Sequence, residues 1–418
     1  MMTQAFYTGL SGIKSNQTAI DVTSNNIANI STTGFRGTNV EFSSLFEEAI
    51  NSIGNSATNS IGIGTVVNST SMMSGVGSLK LSENSTDLAI DGNGWFGVDN
   101  GNNQILYTRA GDFTFDAQGD LTTTDGMYVL GTMAGNIDGL ALTQQVEETP
   151  LGEVIAQEKL RFPKSLSYPP EVTTNTKFSG SLEVSVEARN IFTASIIDSE
   201  NNQNFLKLEF TKIDPQVLPG MQWNVKASSQ SSDGITTYDT QNGIVEFDEK
   251  GGLTSSTLAT INNNGSDVSI DFGQGFDGII SNSSGVPVTS LSDGKVGGEL
   301  VGYDISKNAE VIASFTNGEQ SSVGKIALFH FQNDQGLDQI SSTKYSSSSN
   351  SGNPLFYKDA EGKNILGSEI LNYNLEGSNV QLSQSLTELI VLQRSFDSNS
   401  KVISTADQMM QKALEMDA

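Results

Sequence analysis

The chain contains no cysteine, which rules out disulfides, thiol nucleophiles and cysteine-ligated metals. One histidine, His330, is the whole imidazole supply. Basic residues are scarce: 22 Lys and Arg stand against 48 Asp and Glu, and the net charge of −26 disfavours a sequence-independent grip on nucleic acid or an anionic membrane. No stretch approaches the ~18 consecutive apolar residues of a membrane-spanning helix, so no direct membrane insertion is expected. The opening MMTQAFYTGLSGIKS has neither the basic region nor the apolar run of a secretory leader, so any export is expected to proceed without a cleaved signal peptide. No phosphate loop or dinucleotide fingerprint occurs.

What is abundant is glycine, with 42 residues, and with it Ser, Thr, Asn and Gln. Charged residues make up only 17%. This is the composition of a β-rich, turn-rich exported protein, with glycine supplying the positive φ that hairpin turns need. At roughly 150 residues per domain, 418 residues suggest about three units.

Catalytic signals are thin. His330 lies in ALFHFQ, where a strand would put it on one face with Leu328 and Gln332, and a structural or surface role is expected. Among 48 acidic residues the mere presence of paired carboxylates argues nothing, and two Trp give little for sugar stacking. DGNG at 91–94 and DTQNG at 239–243 carry the letters of calcium loops but not the twelve-residue spacing, and both read as tight turns. No enzyme, metal or cofactor site is expected.

The two ends read as helices. At the N-terminus Phe6, Leu10, Ile13, Ile20 and Ile27 fall on a heptad grid, with Gln17 and Ser24 filling the gaps. At the C-terminus Leu382, Leu386, Leu389, Phe396, Ile403, Met410 and Leu414 do the same, interrupted by Gln393, Ser400 and Asp407. Ser378-Asn379-Val380-Gln381 fits a capping box opening this helix. Gly34 stands where the first helix needs a left-handed cap. Polar residues on both seams weaken a solitary two-helix coil and suit packing among many copies. Charge partitions in the same sense: residues 1–40 carry +1 and 371–418 carry −3, leaving −24 on the other 330.

Between the ends the signals are those of strands. Residues 51–79 have no charge and no clean period, and 36–79 reads as an extended linker. From 80 to 149, short apolar runs alternate with Gly, Asn and Asp turns. FTFDAQGDLTT at 113–123 is echoed by VEFDEKGGLTS at 245–255, a strand–turn–strand cassette. GKVGGELVGYD near 297 resumes the earlier pattern. The expected fold class is therefore α+β, mainly β. Residues 1–35 and 376–418 would pair as a coiled-coil-like inner domain; 80–149 and 297–375 would form a first β domain; 150–296 would be an inserted outer β domain.

Gly9-Leu10-Ser11-Gly12, Asn25-Asn26-Ile27-Ala28-Asn29 and Thr32-Thr33-Gly34-Phe35-Arg36 together resemble the N-terminal motif of the bacterial flagellar axial family, the rod and hook proteins. Glu376-Gly377-Ser378-Asn379-Val380, Gln393-Arg394-Ser395-Phe396 and Asn399-Ser400-Lys401-Val402-Ile403 resemble its C-terminal motif, and DLAIDGNGWF and YTRAGDF resemble its first β domain. GELVGYD, FTNGE and IALFHFQNDQGL, with the chain length, favour the hook branch. Thr23-Ser24 departs from the Ile-Gly that many relatives carry there, which leaves room for a specialised hook-like copy or a distal-rod relative.

The resemblance implies a subunit exported through the flagellar type III apparatus and self-assembling into a curved, flexible extracellular tube that carries torque from rod to filament. The terminal helices would line it. Its partners would be further copies of itself, the distal rod protein, the hook cap and the hook–filament junction protein. Asn25, Asn26 and Asn29 are expected in inter-subunit or linker contacts, with Gly34-Phe35 turning the chain outward and Ser378-Asn379 completing the joint. A rod or accessory axial role, or a secreted acidic adhesin or calcium-binding protein, are the competing expectations.

Overall fold

The structure is a computed structural model and describes residues 2–46, 62–102, 104–184, 190–216, 220–282 and 287–416. It is mainly β, with one long helix at each end, α1 (Met2–Ala28) and α2 (Leu382–Met416). The helices run antiparallel. Gly9 packs against Ile403, Gly12 against Asn399, and the Asn16 amide donates to the Ser395 hydroxyl at 3.0 Å. No helix among the described residues is long and apolar enough to cross a membrane.

Residues 38–46 and 62–72 are not extended linker, which corrects the sequence expectation for them; residues 47–61 of that stretch lie outside the described residues. Strands β1 (Thr38–Phe46) and β2 (Gly62–Met72) pair antiparallel in a hairpin laid along α1. Ser15 Oγ donates to the Thr65 carbonyl at 3.0 Å, and Thr65 N–H donates to Ser11 Oγ at 3.3 Å. The strand formers Thr65, Val66, Val67 and Thr70 are present in the sequence, but their partner strand lies more than twenty residues away. A local window cannot see that pairing.

The first β body is one hydrogen-bonded network that runs through the strands Gly298–Ile305, Glu310–Phe315, Gln320–Ile326, Tyr128–Met133, Trp95–Asp99, Ile105–Thr108 and Lys344–Ser346. Its core holds Phe96, Phe113, Leu121, Leu160, Phe162, Val311, Leu328, Phe329 and Ile370. Leu151, Leu160, Phe162, Leu166 and Tyr168 belong to this core. The inserted unit thus starts near 173 rather than at 150.

The inserted unit packs two sheets around a separate core. One is a five-stranded antiparallel meander from Asn190–Ile197 to Leu253–Ser256. In the other, Asn175–Glu183 pairs parallel with Ser266–Asp271 and Asp277–Asn282 and antiparallel with Thr289–Ser292. Period-two alternation along QNFLKLEFTK sends Asn204, Leu206, Leu208 and Phe210 inward, towards Trp223 and Phe178. One core, sharing no residue with the first, makes the insertion a single domain.

The echoed cassettes are the same loop. Asp116 Oδ1 accepts from the N–H groups of Gln118 and Asp120, and Asp248 Oδ1 from those of Lys250 and Gly252. Gly119 and Gly251 take positive φ at the same position. Asp198 and Asp359 build the same loop without the flanking letters. DTQNG at 239–243 is not a turn: it lies inside the strand Thr237–Phe247, and the Asp239 carboxylate accepts from Asn262 N–H.

Candidate assembly joint and helical seam

The residues α1 buries are Gly9, Ser15, Asn16, Ala19, Thr23 and Asn26, all small or polar. The expected apolar row of Phe6, Leu10, Ile13, Ile20 and Ile27 is only half-buried beside them. Helix–helix approach across Gly9 and Gly12 is so close that a Cβ at Gly12 would sit 2.6 Å from Asn399 Nδ2. Such contact needs small residues, and a rule that looks for large apolar side chains misses it.

On α2 the expected row divides. Leu389, Phe396, Ile403 and Met410 are half-buried, and the buried positions are Ser385, Leu392 and Ala406. Leu382, Leu386 and Leu414 are exposed, as are Ile390, Val391, Val402 and Met409, so they are not part of the intrachain seam. A groove of about 710 Å³ runs between α2 and β1, lined by Asn39, Gln384, Thr387, Glu388 and Val391.

Where the helices meet the first β body, four stretches of chain converge. Asn26 is buried and bonds Thr38 twice, donating to its carbonyl at 2.8 Å and accepting from its N–H at 3.0 Å. Asn29 donates to the carbonyl and side chain of Asn25 and accepts from Thr32 Oγ1, closing the last turn. Gly34 takes φ +67, but its N–H bonds the Glu376 carbonyl at 2.7 Å rather than a helix carbonyl. It is a chain crossing, with Ala110 packed where a side chain would go. Phe35 is buried beside it.

Asn379 knits the joint: its Oδ1 accepts from Gly37 N–H at 2.8 Å, and its Nδ2 donates to the carbonyls of Met73 and Gly75. The expected capping box does not form. α2 begins at Leu382, and Ser378 Oγ accepts locally from Val380 N–H, because residues 376–380 are held in the joint instead.

Sequence reasoning missed the centre of this joint. Glu376 is buried between two arginines, with Oε1 2.9 Å from Arg36 Nη2 and Oε2 3.3 Å from Arg109 Nε. Glu376 Oε1 also accepts from Gly77 N–H, Arg109 Nη2 donates to the Gly92 carbonyl at 2.6 Å, and Arg36 Nη1 donates to the Gly75 carbonyl. Burial pulls the Arg109 pKa down to about 10, partly opposed by Glu376, so the guanidinium stays charged at neutral pH. The available signal was a charged residue within two positions of a glycine in FRG, RAG and EGS.

His330 is fully buried in the first β body. Its Nε2–H donates to the Leu366 carbonyl at 2.5 Å and its ring stacks on Tyr357. Leu328 and Phe329 are both buried, so alternation assigns no outer face here.

A helical coil of both chain ends carrying successive β bodies is the architecture in which this joint sits. Three family models match: "Flagella basal body rod protein" over 6–36, "Flagellar hook protein FlgE/F/G D1 domain" over 89–158, and "Flagellar basal body rod FlgEFG protein C-terminal" over 372–416. The flagellar hook protein FlgE of Borreliella burgdorferi is 27% identical, with 99% of this chain and 100% of that protein aligned. That of Salmonella typhimurium is 26% identical, over 97% of this chain and 98% of the relative. The crystal structure of Helicobacter pylori flagellar hook protein FlgE2 has the same fold, at TM-score 0.56 and 17% identity, covering 71% of this chain and all of that one. The chain is thus similar to the flagellar rod and hook proteins at both ends and in its first β body, and the relatives it matches over their full length are hook proteins.

Proposed function

We propose that the chain is a structural subunit of the flagellar hook, polymerising with further copies into a tube whose inner wall is the α1–α2 coil. One observation carries this reading. Apart from Leu392, the coil buries small and polar side chains within the subunit and leaves a row of large apolar ones outside, with Ile390 52% and Val391 60% exposed. Exposed apolar rows of this kind mark surfaces that bury against a partner. The near-neutral ends favour close packing of copies, while the acidic remainder keeps the assembled tube soluble.

The first β body forms the middle shell and residues 173–293 the outer one. The tube is curved and flexible, and passes torque from rod to filament. Export through the type III apparatus belongs to the same reading, as do end contacts with the distal rod protein, hook cap and hook–filament junction protein. The protein does no chemistry. A calcium-binding adhesin is disfavoured because Asp239, in one of its two candidate runs, lies inside a strand with its carboxylate already accepting from Asn262 N–H.

Electron microscopy of cells lacking this chain tests the reading. Rods without hooks are expected; intact hooks would defeat it. Purified protein forming straight rather than curved tubes would reassign it to the rod.

A further inference from the structure

The subunit has two internal joints, and they are built in opposite ways. At the inner joint, between the coil and the first β body, Glu376 ends the strand Asn374–Glu376, Arg36 follows α1, and Arg109 follows the body's strand Ile105–Thr108. All three are at least 95% buried. Around them Arg109 stacks over Trp95 at 6.0 Å, Trp95 packs on Tyr345, and Trp95 Nε1 donates to Asp334. Gly34 lies directly on the Arg109–Ala110 backbone.

At the outer joint the chain crosses twice, at Glu171 and Lys295, which pair backbone to backbone at 2.9 Å in both directions. Gly297 N–H reaches across to Asn201 Oδ1 at 2.7 Å. Among the described residues no hydrophobic cluster spans this joint.

A buried Arg–Glu–Arg triad is a poor source of stability, because desolvating three charges costs about what their attraction returns. Here Arg109 Nη1, Glu376 Oε2 and the Tyr345 hydroxyl, all buried, also find no hydrogen-bond partner among the described residues, Oε2 meeting Arg109 Nε only as an ion pair. What such a triad supplies is direction. Each guanidinium is tied at two points, Arg36 to Glu376 and the Gly75 carbonyl, Arg109 to Glu376 and the Gly92 carbonyl, and any other packing strands a buried charge. We propose that Arg36, Arg109 and Glu376 form an orientation lock that fixes the coil axis relative to the first β body, leaving the crossing at Glu171 and Lys295 as the compliant joint. The three are positioning residues: they aim the coil. Resting on the hook reading, the lock makes the inner tube and middle shell move as one piece, with bending taken up at the outer shell.

The absence of cysteine makes the test clean. Spin labels are placed on the full chain through Lys358→Cys in the body, paired with Lys401→Cys on α2 or with Ala259→Cys in the inserted domain. Interlabel distances are then read by pulsed electron resonance on the soluble subunit. The coil–body pair is expected to give a narrow distribution and the body–insert pair a broad one. In the triple variant Arg36→Met, Glu376→Leu, Arg109→Met, the coil–body distribution broadens about twofold while the melting temperature holds or rises, as replacing a buried ion triad by apolar residues allows.

An equally narrow coil–body distribution in the triple variant would overturn the lock, and so would a body–insert pair as narrow as the coil–body pair in the parent. Should the triple variant not fold, Arg109→Lys, which keeps charge but loses the two-point tie to Glu376 and the Gly92 carbonyl, must broaden the same distribution or the proposal fails. These distances concern the isolated subunit, so their outcome is separate from whether hooks are lost in its absence.

Discussion

Two residues put local physics to a direct test. Gly34 holds φ +67 with the Ala110 backbone where a Cβ would lie. Gly34→Ala therefore combines left-handed strain of about 1–3 kcal/mol with a steric overlap that only movement of the joint relieves. The urea midpoint of the full chain should fall, and an unchanged midpoint would show that the crossing is not as tight as its geometry. His330 is a pH probe. Burial holds its pKa below the ordinary 6.5, against the opposing pull of the Leu366 carbonyl and Asp334. A depressed folded-state value means that the stability it contributes is complete above pH ~6.5 and is lost as pH falls to and through the folded value, by at most ~1.4 kcal/mol per pH unit. Asp120, held low chiefly by its hydrogen bond from Arg161, loses its contribution only at more acid pH, below the ordinary carboxylate range. Comparing unfolding at pH 7.5 and 5.5 for the parent and His330→Gln isolates the imidazole: the pH slope should flatten in the variant, and equal slopes would remove His330 from the account. Sequence left the histidine a structural or surface role and could not give its partner, since Leu366 is thirty-six residues away.

At the scale of the element, the heptad grids located both helices and half of what they do. Period shows that residues share a face but not what that face meets. The large apolar residues that define the grid in α1 flank the intrachain seam, which is made by Gly9, Gly12, Asn16 and Ala19 because only small side chains permit that approach. Two opposite predictions follow. Gly12→Leu meets Asn399 and should melt the coil within the subunit, seen as lost helical circular dichroism and a destabilisation of about 1–3 kcal/mol. Leu386→Ser lies on the exposed row and should leave subunit stability within ~0.5 kcal/mol, yet slow or abolish polymerisation followed by light scattering. Normal polymerisation of Leu386→Ser would detach that row from assembly. The hairpin along α1 was not legible for a related reason: its strands are ordinary sequence made into structure by a distant partner and by Ser11 and Ser15 on the helix.

At the scale of the whole molecule, the insertion was visible as a return of pattern near 297, but its near edge was misplaced by more than twenty residues. The run from 150 to 172 lacks strong strand signals because it serves the first body through scattered anchors, Leu151, Phe162 and Tyr168, rather than through a long ladder. The true edge is defined by the backbone pair of Glu171 and Lys295, where the chain leaves and re-enters the body within one hydrogen-bonded bridge. Two ends held that close, with separate cores on either side, are the geometry that permits excision. Replacing residues 173–293 by Asn-Gly, with Val172 and Gly294 kept as flanks, closes the gap with a four-residue loop suited to an antiparallel pair. The shortened subunit should unfold cooperatively, with a melting temperature within about 5 °C of the transition assigned to the first body in the parent. It should also polymerise, since neither helix nor the inner joint is touched, into tubes of smaller outer diameter by electron microscopy. Loss of cooperative unfolding would mean that the two cores depend on each other despite sharing no residue. Folded but assembly-incompetent protein would place essential inter-subunit contacts in the outer domain rather than in the coil.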